Sequence, residues 1–203
     1  MFRYYFDDDD EKIRYIFLNS GSPHHTLNDI DSNFNTSYNE LYYQLYYLST
    51  VLLSTPEGYG IVVMAHKFRE ADLFTPSVSI AKMLVAYKNR TTCTVQSGMS
   101  SSTTSTYDFT NGKGDVIMML CGHRHGNYSG IWTGTDSTGA FTDNATEAGE
   151  NDVLVINTTC DTRHNKSEMT LETTNEQAFD VFTIDKTNRT IRATRIGYGS
   201  NRV

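Results

Sequence analysis

The sequence predicts an α+β fold in which helices flank a mixed β-sheet. Residues 60–65 and 115–121 form two apolar runs without polar alternation, as expected for strands that are covered on both faces. Residues 38–53 and 77–88 have apolar side chains at helical spacing. Residues 179–185 and 190–196 predict two paired strands joined by a Lys-Thr-Asn-Arg turn. Helices and strands therefore follow one another without a sustained repeat or a long linker.

The two predicted helices have recognisable starts and ends. The first helix carries one apolar stripe, formed by Leu41, Leu45, Leu48 and Leu52. Ser37 can cap its start, and Pro56 stops it from continuing. The second helix opens at Pro76 and closes at Asn89. We therefore expect two helices of different length, one before and one after the first apolar strand in the sequence.

The remaining segments are predicted from composition. Serine, threonine and glycine dominate residues 96–114, which predicts a loop at the rim of a ligand site. A second loose segment is predicted for residues 133–151. Residues 153–157 then form another short apolar run, which predicts a third buried strand.

Length and charge limit the possible classes of protein. A chain of 203 residues suits one domain with a core of its own, and 38% hydrophobic and 12% aromatic residues argue against disorder. The net charge of −7 disfavours nonspecific binding to nucleic acid or to an anionic membrane. No apolar stretch reaches the roughly 18 residues of a membrane span, and the start does not resemble a signal peptide. We therefore expect a soluble protein that is cytoplasmic or virion-associated.

The cysteines indicate a reducing compartment. Cys93, Cys121 and Cys160 are odd in number and show no Cys-x-x-Cys spacing, so neither a disulfide framework nor a zinc knuckle is indicated. Cys121 lies within an apolar run and is expected to pack as a small hydrophobic residue.

Histidines follow both apolar runs. His66 ends the first run, and His123 and His125 end the second, directly after Gly122. Ligand sites gather beyond the carboxyl ends of such strands, and imidazole is a common ligand of zinc, iron, nickel and copper. The spacing of His123 and His125 suits two neighbouring ions better than chelation of one. The alternative for a lone histidine such as His66 is a hydrogen-bonded residue at the end of a strand.

These residues resemble motifs of the calcineurin-like metallophosphoesterases. Gly122-His123-Arg124-His125 is similar to the last metal-binding block of that family, and Met64-Ala65-His66 to the block before it. Residues 4–6 and 13–19, with an acidic turn between them, resemble a hairpin of these enzymes, and residues 175–185 resemble a closing strand of phosphoesterases from gut bacteria and their phages. The resemblance spans nearly the whole chain. It implies a four-layer αββα sandwich, to which this chain contributes about one sheet and its helices.

The chain departs from the family pattern upstream of these blocks. The family also uses an Asp-x-His block, a Gly-Asp-x-x-Asp block and a Gly-Asn-His-Asp/Glu block, and the sequence contains none of them. Residues 1–203 are therefore expected to be the C-terminal portion of a metallophosphoesterase domain. The missing blocks would supply the bridging aspartate, an asparagine ligand and the histidine that protonates the leaving group.

The resemblance also assigns roles to individual residues. His66 and His123 would bind one divalent ion (Mn, Fe or Zn) and His125 a second, while Arg124 would contact the phosphate ester. Neutral imidazoles alone leave the charge of two ions uncompensated. We therefore expect this chain by itself to bind metal weakly and to hydrolyse no phosphate ester, and to need an N-terminal half or a second subunit as partner.

Two functions from different classes follow from the sequence. The first is metal-dependent hydrolysis of phosphomonoesters or phosphodiesters at a completed two-metal centre. The second is a structural or binding module, such as a component of a phage virion or tail, that keeps the fold without catalysis. An upstream coding sequence with the three missing blocks would favour the enzyme, and a native start at Met1 would favour the module.

Overall fold

The computed structural model describes residues 3–18, 36–66, 75–98, 102–122, 128–133, 140–143, 147–158, 173 and 178–197. In chain order, the elements are β1 (Tyr4–Asp8), β2 (Ile13–Leu18), α1 (Thr36–Leu53), β3 (Gly60–Ala65), α2 (Thr75–Lys88), β4 (Thr92–Gln96), β5 (Thr104–Asp108), β6 (Asp115–Cys121), β7 (Tyr128–Thr133), β8 (Ala140–Asp143), β9 (Val153–Asn157), β10 (Ala178–Asp185) and β11 (Thr190–Gly197).

A mixed sheet of seven strands forms the centre of the described structure. Its order is β1-β2-β3-β6-β9-β7-β8. The four strands β2, β3, β6 and β9 are parallel to their neighbours in this series, whereas β1, β7 and β8 pair antiparallel. The parallel strands are the most apolar ones because elements cover parts of both faces of the sheet.

The two faces of the sheet are covered differently. Helices α1 and α2 pack on the first face, where Leu48, Leu84 and Val63 belong to one continuous buried cluster. On the second face, the hairpin β10–β11 contributes Phe182 and Ile184 to a smaller cluster. The hairpin β4–β5 packs against the helices, since Val95 and Tyr107 join the first cluster. The layers are therefore helices, a large sheet and a small two-stranded sheet.

The structure confirms a mixed α and β fold and most of the predicted elements. Both helices begin within two residues of the predicted positions and end at the predicted residues, Leu53 and Lys88. The apolar runs form β3, β6 and β9, and the last two strands form the predicted antiparallel hairpin. The four-layer sandwich that the resemblance implies stays a proposal.

The loop predicted for residues 96–114 is wrong in its central part. Residues Thr104–Asp108 form β5, which pairs antiparallel with β4. Threonine favours extended backbone, and the strand alternates between exposed and half-buried side chains, so its polar composition reflects one solvated face. In the second segment predicted to be loose, residues Ala140–Asp143 form the edge strand β8. In the described part of the chain, no helix combines the length and the apolar character needed to cross a membrane.

Candidate functional site

The carboxyl ends of four parallel strands meet at one edge of the large sheet. Strands β2, β3, β6 and β9 end at Leu18, Ala65, Cys121 and Asn157. In the register of the sheet, Ala65 pairs with Leu18 on one side and with Cys121 on the other. Cys121 in turn pairs with Asn157. The residues that follow these strands therefore leave the sheet at the same edge, where ligands bind in open α/β sheets.

His66 lies directly beside the end of β6. The backbone N–H of Gly122 donates a hydrogen bond to the carbonyl oxygen of His66, at 2.9 Å. A Cβ atom on Gly122 would lie 3.6 Å from the Nδ1 atom of His66, so the imidazole packs over the glycine. His66 is an exposed residue. The first predicted ligand is thus at the expected edge, in contact with the residue that precedes the second predicted ligand block.

The second ligand block lies outside the described residues. It comprises His123 and His125, the predicted metal ligands, and Arg124, the predicted phosphate contact. The described range 102–122 stops immediately before them in the sequence. Their roles as ligands and as a phosphate contact remain predictions, and so does the role of His66.

Asn157 is a residue of this edge that the sequence interpretation missed. It is fully buried at the end of β9. Its Nδ2 atom donates to the carbonyl oxygen of Thr158 at 3.2 Å, and its Oδ1 atom lies 3.7 Å from the Sγ atom of Cys121. The signal was present in the sequence, because Asn157 ends an apolar strand as His66 does. A buried amide at this position helps to fix the ends of β6 and β9 relative to each other.

Backbone hydrogen bonds extend this edge beyond the strands. The N–H of Thr158 donates to the carbonyl oxygen of Cys121 at 2.9 Å. The Sγ atom of Cys121 lies 3.6 Å from the carbonyl oxygen of Ile156, within the range of a weak hydrogen bond. Cys121 is buried, as predicted for a small hydrophobic residue in this strand. Hydrogen bonds therefore hold the ends of β6 and β9 together at this edge.

The described residues contain part of the predicted metal centre. Among them, no group of three or more histidine, cysteine, aspartate or glutamate side chains is placed to hold a metal ion. His66 is the member of the predicted ligand set that these residues include. Its exposed imidazole has the donor chemistry that zinc, iron and manganese accept.

Comparisons of the chain with protein-family models, curated proteins and solved structures found no match. The resemblance to the metallophosphoesterases therefore rests on the sequence motifs.

Proposed function

We propose that this chain is the C-terminal part of a metal-dependent phosphoesterase and contributes histidine ligands to a two-metal centre. The observation that carries the proposal is the contact of His66 with Gly122, where the N–H of Gly122 donates to the carbonyl oxygen of His66 at 2.9 Å. Because this contact joins the ends of β3 and β6, it links the two sequence blocks that contain the histidines. The carboxyl edge of parallel strands is a favourable place for such a centre.

The proposed roles follow the chemistry of phosphate esters. When bound, two divalent ions would supply positive charge that stabilises the negatively charged phosphoryl oxygens. His66 and His123 would hold one ion and His125 the other, and Arg124 would bind the phosphate oxygens. A guanidinium suits this last role because its planar donors match phosphate oxygens in pairs.

The proposed centre needs carboxylates in addition to His66, His123 and His125. Imidazoles are neutral ligands, so three of them leave two divalent ions with their full charge. We therefore propose that an N-terminal half or a second subunit supplies the carboxylates that balance the charge of the ions. The chain alone would then bind metal weakly and would have little or no hydrolytic activity.

The second face of the large sheet supports the proposal of a further layer. Tyr15, Met64 and Leu120 lie on this face and are only half-buried among the described residues. Tyr4 and Phe6 continue the face on β1 and are 54% and 48% exposed. An apolar sheet face of this kind is typical of a surface that another element covers. In the proposed four-layer sandwich, the second large sheet would pack there.

Metal titration of the purified chain tests the proposed function. We expect weak, saturable binding of Mn²⁺ and Zn²⁺, and at least about a tenfold loss of affinity in His66→Ala and in His123→Ala, since even the loss of groups that support a ligand costs that much. His25→Ala is the matched control, because it removes an imidazole to which the resemblance gives no role. Isothermal titration calorimetry and bound-metal analysis measure the result.

Hydrolysis of bis(4-nitrophenyl) phosphate is measured with the same metals and variants. It distinguishes an incomplete centre from a centre that a second copy of the chain completes. No turnover, together with metal binding that depends on His66 and His123, would fit an incomplete centre. Turnover that His123→Ala abolishes would mean that a second copy completes it. Equal metal affinity in the unaltered chain, His66→Ala and His123→Ala would contradict the proposal and leave the structural or binding module as the better interpretation.

A further inference from the structure

A cavity lies at the opposite end of the large sheet from His66. Its volume is about 730 Å³, and its walls include Gly60 and Asp115, the first residues of β3 and β6. The turn of the hairpin β10–β11 forms another wall through Lys186 and Arg189. Since β3 has six residues, the cavity and His66 are separated by roughly 20 Å of strand. A cavity of this size is typical of sites for small molecules.

One wall of this cavity is apolar. Ile117 and Leu154 come from the large sheet, and Ile184 and Ile191 from the hairpin. Ile184 and Ile191 pair directly across the hairpin, and all four side chains are half-buried. The pairing of β3 with β6 shifts between Val116 and Met118, which leaves Ile117 as an extra residue. This wall can cover the apolar or aromatic part of a ligand.

The carboxylates of the cavity are largely engaged with partners of their own. Asp115 accepts a hydrogen bond from the Nζ atom of Lys88 at 3.2 Å and lies 3.8 Å from Arg189. Asp185 accepts hydrogen bonds from the backbone and the side chain of Asn188, at 2.9 and 2.7 Å. Asp152 accepts a hydrogen bond from the backbone N–H of Gly149 at 2.8 Å.

Three cations of the cavity form no ion pair with the described residues. Lys113 makes no hydrogen bond or ion pair with any residue of the described ranges, and Arg192 makes no ion pair with them. Lys186 donates to a backbone carbonyl oxygen, that of Glu11, which leaves its charge uncompensated. Glu147 is the carboxylate of the cavity for which the described part of the chain provides no partner. In all, five lysine and arginine side chains and four carboxylates line the cavity, so its formal charge is +1, although the chain as a whole has a net charge of −7.

We propose that this cavity binds a small amphipathic anion, with its apolar or aromatic part against Ile184 and Ile191 and its anionic group near Lys113, Lys186 and Arg192. A nucleoside monophosphate belongs to this chemical class. The apolar wall provides contact area for a ring, and charge-assisted hydrogen bonds from lysine and arginine hold a phosphate. The site is independent of the proposed metal centre.

Titration with adenosine 5′-monophosphate in the presence of EDTA tests the inference, since EDTA removes any contribution of a metal centre. We expect saturable binding that is stronger than binding of adenosine or of inorganic phosphate alone. Arg192→Gln and Lys113→Gln should each weaken the binding by about tenfold, because each removes a charge that faces the phosphate. Glu147→Gln should strengthen it, because it removes an unpaired negative charge from the cavity.

Two variants control for effects of net charge and for binding at the other edge of the sheet. Lys82→Gln changes the net charge by the same amount on α2, away from the cavity, and should leave the dissociation constant unchanged. His66→Ala should also leave it unchanged, which separates this site from the proposed metal centre. Absence of saturable binding, or equal weakening in Lys82→Gln and Arg192→Gln, would overturn the inference. Loss of binding in His66→Ala would overturn it as well, since the anion would then occupy the other edge of the sheet.

Discussion

Arg14 connects three elements on the helical side of the structure. Its side chain is 4% exposed, and its Nε and Nη2 atoms each donate to the carboxylate of Asp7 at 2.7 Å. Its Nη1 atom donates to the carbonyl oxygen of Val51 at 2.8 Å and to the hydroxyl of Ser54 at 2.9 Å. The hydrogen bonds that Arg14 donates to Asp7 raise the pKa of Arg14, although burial opposes the rise. Arg14 thus joins β1, β2 and the last turn of α1, where a positive charge also suits the helix dipole.

We expect Arg14→Met to lower the free energy of unfolding by about 3 kcal/mol, because it leaves Asp7 without its partner in a mostly buried position. Urea unfolding measures the change. The matched cycle uses Asp7→Asn and the double variant, and the double variant should be destabilised by clearly less than the sum of the single changes. Additive effects would show that Arg14 and Asp7 act separately.

The sequence identified some residues of the candidate site and missed others. His66 could be found because a polar residue that ends an apolar run is conspicuous in the sequence. Asn157 follows the same rule, yet asparagine is common in this chain and its burial depends on the pairing of β9 with β6. The bidentate contact of Arg14 with Asp7 likewise depends on register, since residue 7 of β1 lies opposite residue 14 of β2.

At the scale of elements, β6 lies between two glycines, Gly114 and Gly122, that have different surroundings. A Cβ atom on Gly114, before the strand, would lie 2.6 Å from the Cγ2 atom of Thr55 and 2.9 Å from the carbonyl oxygen of Tyr59. The N–H of Gly114 also donates to the hydroxyl of Tyr87 at 2.9 Å. Gly122, after the strand, has only ordinary contact distances of 3.6 Å and more to the other residues that the structure describes. The first glycine is required by close packing, whereas the second position has room for a methyl group.

We therefore expect Gly114→Ala to lower the free energy of unfolding by about 1 to 3 kcal/mol, since the clash involves a backbone oxygen that cannot move freely. Gly122→Ala is the matched control and should cost less than about 1 kcal/mol. Urea midpoints of both variants, compared with the unaltered chain, give the result. Equal destabilisation by the two changes would contradict the steric argument.

Elements with a clear hydrophobic period were predictable, and elements that depend on pairing were not. Of the predicted stripe, Leu45, Leu48 and Leu52 are buried in α1, and the side chain of Leu41 lies outside the described residues. The strand β5 has a Ser/Thr composition that is equally common in loops, so only its pairing with β4 identifies it. The edge strand β8 is short and has one pairing partner in the sheet, which leaves little pattern in the sequence.

For the whole molecule, the pKa shifts predict loss of stability at alkaline pH. Burial raises the pKa of the Cys93 thiol from 9.0 to about 12. Burial also raises the pKa of Tyr15, Tyr47 and Tyr107, and a hydrogen bond to Asp9 raises that of Tyr59. All these groups are neutral when protonated, so the folded state binds protons more tightly than the unfolded state. Stability is then complete below about pH 9 and is lost as the pH rises toward 12.

Urea unfolding at a series of pH values from 7 to 11, under reducing conditions, tests this expectation. Between pH 9 and 10 the Cys93 thiol ionises in the unfolded chain and stays protonated in the folded one, so Cys93→Ala should reduce the slope there by on the order of 1 kcal/mol per pH unit. Cys93 should also react slowly with thiol reagents at pH 8. A pH slope that is identical in the variant would contradict the assignment to Cys93.

The sequence by itself determined the kind of fold, the main helices and strands, and the position of His66 at the end of an apolar strand. These features follow from local composition and from the spacing of apolar residues, both of which depend on residues that are close in the sequence. The tertiary structure decided the strand order, the contact of His66 with Gly122, the burial of Asn157 and the charged cavity at the other end of the sheet. Each of these depends on residues that are distant in the sequence, and only the packing of the sheet against α1, α2 and the hairpin β10–β11 brings them together.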